Sequence, residues 1–280
     1  MHIQENARLT DTSGVSFDHK TTPNLGKPLR MPMYIVHHYT AGHHETDGSV
    51  NWMMNPDAGV SAHLFVPREG PTVTQLAPFD QTTWHAGKSR HNGLRWLNRW
   101  SIGIEISNPG VLEPLGNGRY KTSYGATLSR DAYDIIEAPM PNRQDRTPKG
   151  WLKYTDFQKV VVKQITQTLR DHYQDTVHDV VGHSDISPGR KLDPGPAWDL
   201  SSIRKDVFPE YKDHGSARVT TNLNMRMGMS TDHRVILTLP ENVTVSVLGR
   251  FSSGWCRVEY TPKAKSPKYG FVSDAYLDFT

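Results

Sequence analysis

Short apolar runs alternate with polar, glycine-containing segments along the first two hundred residues. The segments 34–36, 60–66, 72–76 and 101–106 are each rich in β-prone residues. The sequence Arg68-Glu69-Gly70-Pro71 separates the second run from the third and is typical of a hairpin turn. The segment 101–106 is apolar enough to be a central strand of a sheet.

A helical pattern appears only in the later part of this region. Apolar side chains recur at helical spacing over 156–172, and Thr155 is suited to cap the first turn. A strand is predicted over 177–181, and it leads directly into Gly182-His183. Because strands and helices are interleaved, the pattern predicts an α/β layered domain.

The remaining segments divide the chain. Residues 1–30 are predicted to be an irregular, polar lead-in. Residues 109–150, rich in glycine and proline, are predicted to be a long loop-rich insertion in a larger domain over 31–210. A polar linker is expected over 211–217. Residues 218–280 show only short β-prone runs between turn residues, which predicts a small, separable all-β module.

Composition narrows the class of protein. The 280 residues contain one cysteine, Cys256, which excludes an internal disulfide and any multi-cysteine metal site. Net charge is +3, from 32 basic and 29 acidic residues, too little to indicate nucleic-acid binding. Mean hydropathy is −0.60, and no apolar run approaches the roughly 20 residues of a membrane span. Residues 1–30 lack the apolar segment of a secretory signal.

The strongest chemical signal is the stretch 182–196, GHSDISPGRKLDPGP. His183 follows a predicted strand, and Asp193 lies ten residues later, before a proline that favours an extended backbone. Imidazole and carboxylate are both zinc ligands, and Lys191 would share a face with Asp193 in an extended segment. The same stretch is also compatible with a plain Pro/Gly turn that carries a solvated lysine.

Two further positions carry candidate polar groups. His37 and His38 are adjacent in a predicted strand, so they point to opposite faces and at most one can readily join a given site. Alternation in 101–106 places Glu105 on the face opposite the isoleucines, and a buried acid is costly unless it is paired or functional. His85 is compatible with either substrate contact or packing.

These segments together resemble the zinc-dependent N-acetylmuramoyl-L-alanine amidases of the type-2 amidase superfamily. The resemblance rests on IVHHYT at 35–40, SAHLFV at 61–66, TTWHAG at 82–87, SIGIEISN at 101–108 and VVGHSDISPGRKLDPGPAWD at 180–199. It implies a mixed central sheet flanked by helices, and one catalytic zinc ion per chain.

The resemblance also assigns roles to residues. His37, His183 and Asp193 match the zinc ligands, Glu105 the catalytic acid and base, and Lys191 the residue that assists at the oxyanion. His38 and His85 are candidate substrate contacts. A tyrosine used by the phage lysozyme-type branch is replaced by Ala62, which leaves Glu105 as the expected base.

The implied activity is hydrolysis of the amide between the muramoyl lactyl group and L-alanine, in peptidoglycan or muropeptides. The alternative is a peptidoglycan-binding protein of the same fold that does not cleave. Residues 218–280 resemble a bacterial SH3-like barrel, for which wall binding and a spacer role both stay open. The expected protein is a monomer in the periplasm, the envelope or outside the cell, or a phage endolysin made in the cytoplasm.

Overall fold

The computed structural model describes residues 1–12, 14–29, 31–43, 48–210, 214–262 and 267–279. The catalytic part begins with β1 Ser16–His19, β2 Leu25–Pro28, β3 Tyr34–Tyr39, α1 Ser49–Met54, β4 Leu64–Val66, β5 Thr72–Gln75, β6 Gln81–Thr83, β7 Arg90–His91, β8 Leu94–Arg95 and β9 Ser101–Ile106. It continues with β10 Val111–Gly116, β11 Arg119–Lys121, β12 Thr127–Ser129, β13 Ile135–Pro139, β14 Pro148–Leu152, α2 Asp156–His172, β15 Asp179–Gly182, α3 His183–Ile186 and α4 Leu200–Val207.

A six-stranded mixed sheet forms the centre, in the order β1-β5-β4-β9-β3-β15. The β4–β5 pair is antiparallel and the other four pairs are parallel, which confirms the mixed α/β layer architecture. The hairpin expected from the turn at residues 68–71 is this antiparallel pair, although its first strand begins only at Leu64.

The two faces of this sheet are buried differently. Ile35, Ile102 and Ile104 are fully buried in a core that includes side chains of α2 and α4. On the opposite face, Tyr34 and Val36 belong to a second buried cluster. Alternation along β3 and β9 therefore gives one largely apolar face and one face on which polar side chains can emerge.

Helix α2 confirms the prediction for 156–172. Thr155 accepts a hydrogen bond from the Gln158 backbone N–H, and the Gln158 side chain accepts one from the Thr155 N–H, forming a capping box. Its buried apolar side chains pack on the central sheet.

The irregular lead-in predicted over 1–30 is wrong. Strand β1 pairs in parallel with β5, β2 pairs with β6, and Leu9 is fully buried. The Leu9 backbone N–H donates to Gln75 Oε1. Strands of four residues with mixed burial leave too weak a pattern to identify from sequence.

The insertion predicted as loop-rich is instead a five-stranded antiparallel sheet, in the order β12-β11-β10-β14-β13. It has its own core, which includes Leu112, Tyr120 and Leu152. The sheet packs close to the loop after Asp193, because a Cβ on Gly195, whose φ is +77°, would lie 2.7 Å from a Trp151 ring atom. Its short strands are separated by turn glycines, and those glycines dominate the sequence pattern.

The C-terminal module is all-β as predicted. Its strands are β16 Ser216–Val219, β17 Leu223–Arg226, β18 Val235–Leu239, β19 Thr244–Phe251, β20 Trp255–Tyr260, β21 Lys268–Ser273 and β22 Leu277–Phe279. They form one seven-stranded sheet around a separate core. Of the predicted linker 211–217, residues 211–213 lie outside the described residues.

This module packs against the catalytic part through a buried contact. Arg257 is 1% exposed and donates to the Tyr34 hydroxyl, and the Phe271 ring meets His178 edge-on. Met227 joins the cluster that contains Tyr34 and Val36. The two parts therefore share buried surface. The sequence predicted residues 218–280 as a separable module and gave no indication of this contact.

Candidate metal centre and active-site cleft

Three buried side chains converge at one edge of the central sheet. His38 Nδ1 lies 2.9 Å from His183 Nδ1, and each of these nitrogens lies 2.9 Å from Asp193 Oδ2. Among the described residues these three are a group of imidazole and carboxylate side chains close enough to hold one metal ion.

The topology brings these residues together from distant positions in the chain. His38 lies near the carboxyl end of β3, and His183 begins α3 directly after the neighbouring parallel strand β15. Asp193 returns to the same point after a turn, where its carbonyl accepts a hydrogen bond from the Ser184 N–H, N···O 2.8 Å. Carboxyl ends of adjacent parallel strands are where α/β proteins place ligands.

The assignment of His37 as a metal ligand is wrong. His37 pairs with Ile104 and points into the apolar core, where its Nδ1 accepts from Trp198 Nε1 and its Nε2 contacts Thr166 Oγ1. His38 pairs with Glu105 on the opposite face. Residues of one strand alternate between faces, so only His38 can reach His183 and Asp193.

The Nε2 atoms of His38 and His183 have hydrogen-bond partners of their own. The Nδ1 atom of each ring is therefore available to bind a metal. His183 Nε2 lies 3.1 Å from the Ala86 carbonyl and can donate to it. His38 Nε2 lies 2.9 Å from His85 Nδ1, and His85 Nε2 lies 3.4 Å from the Ser101 carbonyl. With a proton on the Nε2 of each of these three histidines, every one of these N–H groups has an acceptor.

His85 thus supports His38 from behind, in addition to lining the cleft. Gly103 makes room for it, because a Cβ there would lie 2.4 Å from His85 Cγ. His63, on the same side of the sheet, accepts from the Gly103 N–H and contacts the Gln81 carbonyl, which is a structural role.

Burial keeps these histidines neutral. Burial, with a further effect of His183, lowers the pKa of His38 to about 4, although Asp193 opposes the shift. Burial, followed by the charges of neighbouring histidines, holds the pKa of His85 well below its usual range. For Asp193 burial acts to raise the pKa, but the contacts with the His183 and His38 imidazoles outweigh it and hold the pKa well below the usual range. Neutral imidazoles and an ionised carboxylate are the forms that bind a metal.

The three donors therefore fit a zinc ion. Two imidazole nitrogens and one carboxylate oxygen are the donor types of catalytic zinc sites, and such sites keep a further position open. The three donor atoms lie 2.9 Å from one another, and the outer Nε2 nitrogens of the two histidines have hydrogen-bond partners that fix the orientation of their rings.

A cleft of about 420 Å³ opens beside this group. Glu105 and Lys191 both line it, together with His38, His85, His183 and Asp193. Glu105 is only partly buried and lies next to His38 across the β3–β9 pair. The structure thus brings together every predicted site residue except His37.

Several cleft residues carry no clear signal in the sequence. Arg143 reaches the cleft from the loop between β13 and β14, and the neighbouring Asn142 side chain donates to the Ser184 carbonyl. Trp52 and Trp84 line the opposite side and are 57% and 36% exposed. Exposed tryptophans beside polar groups are a recognisable signal, whereas the position of Arg143 depends on the fold of the insertion.

Comparison with known proteins places the chain in a family. A family model described as N-acetylmuramoyl-L-alanine amidase matches residues 28–196. This chain belongs to that family.

Individual relatives agree with this placement. The chain is 31% identical over 217 residues to the 1,6-anhydro-N-acetylmuramyl-L-alanine amidase AmpD of Enterobacter cloacae, a match covering 71% of this chain and 91% of that protein. The corresponding protein of Escherichia coli K12 is 32% identical over 151 residues, covering 54% of this chain and 60% of the relative. A crystal structure of a selenomethionine AmpD derivative superposes with a TM-score of 0.48 at 24% identity, covering 74% of this chain and 99% of that one.

The length matched differs among the relatives. The chain spans about three fifths of the Escherichia coli AmpD, and the matched segment ends before the C-terminal module. No helix in the described ranges is both long and apolar enough to cross a membrane.

Proposed function

We propose that this chain is a zinc-dependent N-acetylmuramoyl-L-alanine amidase, which hydrolyses the amide between the muramoyl lactyl group and L-alanine of peptidoglycan or its fragments. The observation that carries this proposal is the His38–His183–Asp193 group at the wall of a cleft that also holds Glu105 and Lys191. The family to which the chain belongs supports the same reaction.

The three donors would hold one zinc ion, with His85 orienting His38 and the Ala86 carbonyl orienting His183. A zinc ion at this point supplies a Lewis acid that polarises the scissile carbonyl and lowers the pKa of water. His37 has no direct part and stabilises the core behind the site.

Glu105 is placed to act as the general base and acid. Its carboxylate accepts a proton from the attacking water and then returns one to the leaving nitrogen of L-alanine. Lys191, which also lines the cleft, carries the charge that stabilises the developing oxyanion. The cleft has ample room for a dipeptide-sized portion of substrate.

The module 216–279 is proposed to be an SH3-like domain that retains the protein on the cell wall. Its separate core and its charge of +3, from 8 basic and 5 acidic residues within 218–280, support this role. A chain that acts on peptidoglycan works in the envelope or outside the cell, or is released there as an endolysin. The proposed partner is the peptidoglycan substrate, bound by a monomer.

The test is hydrolysis of a purified muropeptide, followed by mass spectrometry of the products. We expect a free peptide beginning with L-alanine and a sugar that retains its lactyl group. Chelation should abolish the reaction, and one equivalent of zinc should restore it. A protein that binds muropeptide but releases no peptide after zinc addition would instead be the non-cleaving recognition protein.

A further inference from the structure

A second cavity of about 410 Å³ lies beside the active-site cleft and differs from it in charge. Four basic side chains line it, Lys88, Arg90, Arg95 and Arg190, together with Trp96. Its lining contains no acidic residue. We refer to this cavity, defined by these five residues, as the cationic groove.

The basic side chains of the groove lack acidic partners. Among the described residues no ion pair involves any of the four, although many basic residues elsewhere are paired with acids. The first 217 residues are neutral overall, with 24 basic and 24 acidic residues. Four unpaired cations around one cavity are therefore a local concentration of charge and do not reflect a generally basic surface.

Trp96 is held outward at an energetic cost. Its backbone lies in the left-handed region, with φ of +59°, which is uncommon for a bulky residue. The Trp96 N–H donates to the Ser89 carbonyl, the Leu97 N–H donates to Ser89 Oγ, and the indole is 53% exposed. A rigidly supported, strained and exposed tryptophan is suited to stack on a flat ring such as a sugar.

Arg190 connects the groove with the active site. Arg190 lines both cavities, and the two protons of its Nη2 are shared among the Ala86 carbonyl, the Lys88 carbonyl and Ser187 Oγ, each of which lies within 3.0 Å. A substrate that occupies the cleft can therefore continue into the groove without leaving the protein surface. The C-terminal module approaches the turn between the strands that carry Arg90 and Arg95, because a Cβ on Gly93 would lie 3.9 Å from Tyr269 Cδ2.

We propose that the cationic groove is a second substrate site, which binds the next saccharide and the free carboxylates of a stem peptide when the substrate is polymeric peptidoglycan. Trp96 stacks on the sugar, and Arg90, Arg95 and Lys88 bind the carboxylates. The inference rests on the proposed amidase function and narrows it, because a site for a second repeating unit favours intact wall over single-repeat fragments.

The test compares three substrates with two double variants. The first variant is Arg90→Gln with Arg95→Gln, and the matched control is Arg119→Gln with Lys121→Gln, which removes two exposed charges from the distant β11. Each is assayed on purified wall that retains its phosphate-containing polymers, on polymeric peptidoglycan freed of those polymers with hydrofluoric acid, and on a single-repeat muropeptide.

For the groove variant we expect kcat/KM on the polymer to fall about 2- to 30-fold at low salt, from the loss of two exposed ion pairs. The loss should shrink in 0.5 M salt, since such contacts are screened. Activity on the single-repeat muropeptide should be unchanged, and the control should match the parent on all three substrates. Trp96→Ala should also raise KM on the polymer, with little dependence on salt.

Three results overturn the proposal. Equal losses on the polymer and on the single-repeat muropeptide would mean that the groove belongs to the primary site. An equal loss of activity in the control variant would show that the effect comes from the overall charge of the protein and not from the groove. A loss seen only on wall that retains its phosphate polymers would identify those phosphates as the ligand. Failure of the parent to cleave the single-repeat muropeptide would count against the amidase function itself, so the two proposals fail separately.

Discussion

Replacing each of the two adjacent histidines with alanine separates core packing from metal binding. His37 is fully buried, and its removal leaves a cavity and deprives Trp198 Nε1 of its acceptor. An unpaired buried donor costs about 1–3 kcal/mol, and with the cavity the total loss for His37→Ala is about 2–5 kcal/mol. The free energy of unfolding of an ordinary domain is about 5–15 kcal/mol, so the His37→Ala protein should still fold unless the parent lies at the low end of that range.

His38→Ala removes one of three metal donors. Removing a group that only hydrogen-bonds a metal ligand typically weakens metal binding by about 10–100-fold. Removing the ligand His38 itself should weaken metal binding by more than that. The two variants differ by one position in the same strand, so each serves as the control for the other.

The assay is unfolding by urea with and without added zinc, together with elemental analysis after dialysis. Because zinc stabilises only a protein that binds it, His37→Ala should unfold earlier than the parent but keep the zinc-dependent rise in midpoint and one equivalent of metal. His38→Ala should lose both. The opposite pattern, with metal kept by His38→Ala and lost by His37→Ala, would refute the geometry described for β3.

Three further predictions address the base, a buried ion pair and the module contact. Glu105→Gln should retain zinc and lower kcat about 10²–10⁴-fold on muropeptide, because the amide cannot accept a proton; a change of only a few-fold would assign the base elsewhere. Burial raises the pKa of Asp179 from 3.8 to about 6 despite the facing Arg204, so the stability that Asp179 contributes falls as pH rises through that interval. Arg204→Met removes the cation, and its destabilisation measured by urea should therefore be about 1–2 kcal/mol larger at pH 8 than at pH 5; an equal loss at both pH values would contradict the ion pair. A chain ending at residue 210 exposes Tyr34 and should melt several degrees lower than the full chain while still binding zinc; an unchanged melting temperature would show that the contact between the two parts contributes little.

Long or strongly patterned segments could be predicted from the sequence. The helix over 156–172 and the strand over 101–106 appear with the predicted bounds, because a 17-residue amphipathic period and an apolar run of six are strong local signals. That His183, Asp193, Glu105 and Lys191 would meet in one site was expected from the resemblance to the amidase family, and all four line the same cleft.

The strands of residues 1–30 and the sheet of the insertion were not predictable. Their strands are three to six residues long, interrupted by glycine and proline, and stabilised by pairing with distant partners such as β5 for β1. A pattern of that length is compatible with loop or strand, and only the partner decides between them.

Sequence alone determined that at most one histidine of the 37–38 pair could readily join a given site, since neighbours in a strand point to opposite faces. It contained a further clue, because Glu105 and the isoleucines of β9 already define a polar and an apolar face. Which histidine shares the face of Glu105 depends on the register between β3 and β9, and register is a property of the assembled sheet. The tertiary structure decided it in favour of His38, and it also placed Arg190 between two cavities whose walls come from separate parts of the chain.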